Sequence, residues 1–222
     1  EYRRQRQMCI RDSSSTNIDL IAAYSTSNLA GTVFELYANQ SDATPLVIGG
    51  AVTRYGLATS THTFTLRGTG QGELSGIISN GVGTVALAKS DTNTWVISNA
   101  ANTYSGNTTV NAGTLKVTGS TTGTYLGTST GAVSVVSTAA LELDGGVGSL
   151  GVTKSSGTLT LSGTGTSGNG AIRSVAGTNS YTASGYTLTA GSSVGVDAGS
   201  LTMGGAGAVI GSAALTKVGA GE

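Results

Sequence analysis

The chain has a single cysteine, Cys9, and a single proline, Pro45, among 222 residues. One thiol supplies neither a disulfide framework nor a metal-binding spacing, and sparing use of cysteine suits a chain exported through an oxidising compartment. Charge is equally sparse: 10% of residues, balanced at 11 basic and 11 acidic, with one histidine, His62. No basic stripe is available for nucleic acid, and no Lys/Arg cluster for an anionic membrane surface. No apolar run reaches the ~18 residues a membrane-crossing helix needs. The start is not a signal peptide, because Tyr2-Arg3-Arg4-Gln5-Arg6 leads into serine-rich sequence rather than an apolar core. Low charge without low hydrophobicity also excludes a disordered chain. The 36 glycines come with no triplet period and almost no proline, which excludes collagen.

Residues 1–13 stand apart. They hold Arg3, Arg4, Arg6 and Arg11, leaving seven basic and nine acidic side chains to residues 14–222. The stretch resembles translated read-through of a sequencing adapter and is set aside from the fold, which is expected to occupy residues 14–222 as one repeat array.

What the remainder is rich in is Thr, Ser, Val, Leu and Gly, the vocabulary of short strands joined by tight corners. Apolar residues recur in i, i+2 pairs: Phe64/Leu66, Val85/Leu87, Leu115/Val117, Val133/Val135, Leu141/Leu143, Leu150/Val152, Leu159/Leu161, Val194/Val196 and Leu201/Met203. Such alternation gives each strand one apolar and one polar face. No segment sustains a 3.6-residue period. The pairs recur in order, and Thr, Ser and Lys fill the polar face with few rings available for a sandwich core. An all-β solenoid follows, with coils of roughly 20–27 residues, about eight to ten rungs, and a rod of roughly 40–50 Å. Leu115, Val117, Val133, Val135, Leu141, Leu143, Leu159 and Leu161 are expected inside, and Lys116, Glu142 and Thr160 outside.

One stretch is a complete unit. After Leu87-Ala88-Lys89-Ser90 and Trp95-Val96-Ile97 come Asn102-Thr103-Tyr104-Ser105-Gly106-Asn107-Thr108-Thr109-Val110 and Asn111-Ala112-Gly113-Thr114-Leu115-Lys116-Val117. The chain's last residues, Leu215-Thr216-Lys217-Val218-Gly219-Ala220-Gly221-Glu222, look like the opening of another copy, and 149–161 is a degenerate one. This pattern resembles the autotransporter-associated β-strand repeat, in which Lys-x-Gly-x-Gly precedes a strand, followed by Asn-Thr-Tyr-x-Gly-x-Thr and a Gly-Thr-Leu strand. The chain departs from it at Ser90-Asp91-Thr92-Asn93, where the glycines are missing. The resemblance covers about a third of the chain. It implies a right-handed, single-stranded parallel β-helix from the passenger of a type V secreted bacterial protein, surface-exposed or released. It further implies a host-surface or extracellular-matrix ligand as partner, and a membrane barrel beyond Glu222 as the only membrane contact. On this view the chain is a slice of a longer array, with an uncapped and self-associating C-terminal rung.

Motifs that could carry chemistry are weak. Gly163-x-Gly165-x-x-Gly168 follows a strand, but no helix pattern or acid follows it, so a dinucleotide site has nothing to build on. Gly145-Gly146-x-Gly148 opens like a calcium-binding nonapeptide, but Leu150 stands where the ligating Asp belongs. Glu142 and Asp144 share a strand face about 6.5–7 Å apart, within the carboxyl separation of inverting glycosidases; two solvated acids would look the same. His62 has no Cys or Asp beside it for a nucleophilic triad. Asn39-Gln40-Ser41 and Asn107-Thr108-Thr109 are sequons, without meaning in a bacterial source. The pairs Thr63/Thr65, Thr92/Thr94, Thr158/Thr160 and Thr187/Thr189 do not share one rung spacing, so strand propensity explains them better than a binding lattice. No catalytic, cofactor or metal residue is assigned. A non-enzymatic shaft supporting adhesion or display is expected; the alternative is a polysaccharide-degrading or carbohydrate-binding β-helix.

Overall fold

Alternating pairs of this kind bury their apolar side only when another strand lies directly above and below. The computed structural model, which describes residues 33–39, 44–53, 60–128, 130–207, 209–211 and 213–222, shows that stacking throughout. Every strand pairing among these residues is parallel. The chain is all-β, a right-handed parallel β-helix of about seven turns. Residues 1–13, like the apolar stretch Ile18 to Tyr24, lie outside the described residues.

Three faces make one coil. The first face stacks Val33–Ala38, Thr61–Gly68, Thr84–Lys89, Thr108–Val110 and Val133–Val135, then 159–161, 185–188 and Val209–Ile210. The second stacks Leu46–Ile48, Gly72–Leu74, Thr94–Ile97 and Thr114–Thr118, then 140–144, 172–174, Ser192–Val196 and Leu215–Val218. The third is less regular: Val52–Thr53 pairs with Ile78–Ser79, and further up Thr122–Gly123, 149–154, 178–182 and Ser200–Gly204 lie in register.

All eight core residues named above are buried, and Lys116, Glu142 and Thr160 lie half-exposed on the outside. The inward columns run Trp95, Leu115, Leu141, Ile172 on the second face and Leu87, Thr108, Val133, Leu159, Tyr186 on the first. Two expectations need correcting. The rings are not scarce inside: Trp95 and Tyr181, on strands, and Tyr104 and Tyr125, between strands, are among the largest fully buried side chains. Lysine is not confined to the polar face either, since Lys89 and Lys154 are completely buried. Coil length also varies more than expected. Trp95 and Leu115 are stacked neighbours, as are Leu141 and Ile172, although the second pair has the loop 162–170 between them.

Size complementarity along the axis is sharpest under the lone tryptophan. Gly72 lies in register directly beneath Trp95, and a Cβ on Gly72 would stand 2.5 Å from the indole ring atoms. Gly72→Ala should therefore push the ring aside, destabilise the fold by about 1–3 kcal/mol and shift tryptophan emission to the red. An unchanged spectrum and melting temperature would show that the ring does not rest on Gly72.

Candidate functional site

Backbone hydrogen bonds along the axis satisfy the strands, but each corner turns carbonyls and amides away from that ladder, and buried polar groups need partners. Among the described residues, buried lysines and amide side chains take up that task, while other charges pair with one another between coils. Arg67 spans three coils, donating to Glu35 Oε1 at 2.8 Å and to Asp91 Oδ1 at 3.1 Å while its guanidinium lies over the Tyr37 ring at 5.7 Å. Its charge, with the Tyr37 hydroxyl, holds the Glu35 carboxyl below its ordinary value; Arg67 and then the Gly68 N–H do the same for Asp91. On the second face Lys116 pairs with Asp144 at 2.7 Å, and Arg173 pairs with Glu142 at 2.8 Å and with Asp197.

These contacts decide how the candidate acids are placed. Glu142 and Asp144 do share the outer face, but each is tied to a different cation in a neighbouring coil. Burial opposes ionisation of Asp144; the Lys116 ammonium and the Gly146 N–H outweigh it, so the carboxyl titrates below its usual range. The Gly163, Gly165 and Gly168 backbone takes φ of 77°, 78° and 77°, a corner only glycine adopts freely, around the short turn Thr166–Gly168. Gly146 likewise turns at φ 60°. His62 is half-buried, its Nε2 3.1 Å from Ser60 Oγ. Among the described residues no group of three His, Cys, Asp or Glu side chains is placed to hold a metal ion.

Sequence reasoning missed the groups with the most demanding environment. Lys89 Nζ donates to the carbonyls of Ser90 at 2.6 Å, Asp91 at 2.9 Å and Ala112 at 3.1 Å, using all three of its protons. Lys154 Nζ donates to the carbonyls of Leu126 at 2.8 Å and Thr128 at 2.5 Å. Burial pushes each ammonium down to about 8. A signal was present: both lysines continue the inward phase of an apolar pair, Val85/Leu87 and Leu150/Val152, whereas Lys116 sits out of phase between Leu115 and Val117.

The threonine pairs behave differently from expectation as well. Thr65, Ala88, Thr109, Ser134, Thr160 and Thr187 stack in one column on the first face, with Thr65 and Ala88 buried and the other four half-exposed. Three of the paired threonines thus do line up, joined by single residues that the pair spacing could not reveal. Thr94 belongs to the second face instead.

Residues 87–117 match the family model of the passenger-associated-transport-repeat. The chain carries an autotransporter passenger repeat. Comparison with curated proteins and with solved structures finds no match. The geometry explains the repeat's motif. Asn102 binds three coils at once: its Oδ1 accepts from Ile78 N at 2.8 Å, and its amide donates to Asn99 O at 3.1 Å and to Tyr125 O at 2.7 Å. Tyr104 is buried with its hydroxyl 2.7 Å from Thr108 Oγ1, and the Gly106 N–H donates to Val85 O. The glycines missing at 91 and 93 are also accounted for. Asp91 takes φ 63° where the copy at Leu215 has Gly219 at φ 86°, and short polar side chains tolerate that conformation best after glycine. Asn93 fills the second position, donating to the carbonyls of Arg67 and Gly70.

The buried ionisable groups fix how stability varies with pH. Lys89 and Lys154 titrate near 8 when folded, against an ordinary lysine value of 10.5. Between those values the unfolded chain binds more protons, so stability rises with pH. Tyr104 and Tyr181 are raised above 10 by burial, so above about 10 the folded chain holds protons the unfolded one has lost, and stability falls. Thermal melts from pH 7 to 11 should pass through a maximum between 8 and 10.5. A monotonic fall from pH 7 would contradict buried lysines.

Proposed function

We propose that this chain is part of a surface-displayed, non-enzymatic passenger shaft of a bacterial autotransporter, serving adhesion or display. The observation that supports this most is continuity: the passenger repeat at 87–117 is stacked in register between coils on both sides, with no break in the parallel ladder. A coil whose ladder repeats along one axis gains length without needing a larger core. The use of charge points the same way. A polysaccharide-cleaving coil needs carboxyls free to exchange protons with a substrate, whereas Glu142 and Asp144 are held by Arg173 and Lys116. The ligand of such a shaft would be a host-surface or extracellular-matrix component, and the outer membrane would be reached through a separate barrel.

Surface labelling tests the placement. An antibody raised against the chain should stain intact cells that express the parent protein, and external protease should remove the signal. Staining that appears only after lysis would overturn it. Incubation of the chain with neutral and acidic polysaccharides should release no reducing ends; release abolished by Glu142→Gln would favour the degrading alternative.

A further inference from the structure

The two buried lysines have no carboxylate among their hydrogen-bond partners, an expensive arrangement for an ammonium unless the carbonyls themselves require it. In both cases those carbonyls belong to corners. Ser90 and Asp91 form the corner that follows the first-face strand Thr84–Lys89, and Ala112 lies in the corresponding corner of the next coil. Lys154 lies at the end of a third-face segment and reaches the equivalent corner one coil earlier, at Leu126 and Thr128. Each ammonium thereby ties two successive coils at one longitudinal edge of the prism. Lys217 repeats the local half of the pattern. It donates to Gly219 O at 2.8 Å, two residues on, as Lys89 does to Asp91 O, but on an exposed second-face strand.

The spacing is informative. Lys89, Lys154 and Lys217 are separated by 65 and 63 residues. Counting faces in register, each step is eight face positions, or two and two-thirds coils. Eight is not a multiple of three, so successive lysines fall on different edges. Lys89 is between the first and second faces, Lys154 between the third and first, and Lys217 between the second and third. A lysine recurring once per coil would instead load a single edge.

We propose that the lysine of the passenger repeat is an edge clamp. Its ammonium gathers carbonyls that the strands leave unpaired at a corner, and the eight-face spacing puts the Lys89 and Lys154 clamps on different edges. Losing one clamp opens its own edge locally and leaves the others shut. This rests on the coil geometry and not on the passenger role, so either can fail without the other.

Hydrogen exchange on the whole chain tests it. Lys89→Met keeps the stem and removes the donors; amides at 90–93 and 111–114 should exchange at least about tenfold faster, with 124–130 unchanged. Lys154→Met should show the reverse pattern. In Lys89→Ala, methylammonium should restore protection at 90–93 and 111–114, and tetramethylammonium at equal ionic strength should not, because it has no N–H to donate. Four results would overturn the clamp: unchanged exchange, acceleration spread evenly over all coils, failure to fold, or equal effects of the two cations.

Discussion

A single-chain parallel coil satisfies its backbone along one direction only. Strand amides and carbonyls bond to the coil above and the coil below, so every strand must keep register with both neighbours, and every corner interrupts the ladder. The rest of this structure follows from how the corners are repaired. Asn102 bridges three coils with one amide, Asn93 and Trp95 cap the Arg67 carbonyl, and Lys89 and Lys154 cap corners that no strand can reach. With the corners repaired in this way, the apolar columns close over Leu115, Leu141 and Ile172, and the buried Asn93 Oδ1, Asn179 Oδ1 and Tyr181 hydroxyl are left without a partner.

Charge is organised by the same constraint. The ion pairs run between coils: Glu35 to Arg67 to Asp91 at one edge, and Glu142 to Arg173 to Asp197 and Lys116 to Asp144 on the second face. Half-exposed pairs of this kind contribute little individually. Their value lies in register, since a slip of one residue would move Glu142 inside and Leu141 outside. Among the described residues, most of the few charges are committed to neighbouring coils.

The faces were legible in the sequence because side-chain direction alternates with period two, so Leu115/Val117, Leu141/Leu143 and Leu159/Leu161 announce an inside without any knowledge of the turn between them. The passenger repeat was legible because Asn102, Tyr104 and Gly106 each answer a specific corner requirement. Coil length was not legible. The loop 162–170 lengthens one coil at a corner, where insertions do not disturb strand phase, and Thr122–Gly123 forms a third-face strand with no apolar alternation to mark it. The hydroxyl column through Thr109 and Ser134 was hidden for the same reason, since unequal coils place its members at unequal sequence spacing. The buried lysines were hidden by residue type alone; their phase, i+2 from Leu87 and from Val152, was visible.

The central claim is that sequence distance converts to axial distance one coil at a time. With Cys9 replaced by Ser, spin labels at Val96→Cys and Val218→Cys lie five coils apart on the second face, and labels at Lys116→Cys and Val218→Cys four coils apart. Pulsed electron spin resonance should give separations near 24 Å and 19 Å, a step of about 4.8 Å per coil. Separations that do not grow with the number of coils, or that match the folding back of a sandwich, would contradict the parallel β-helix.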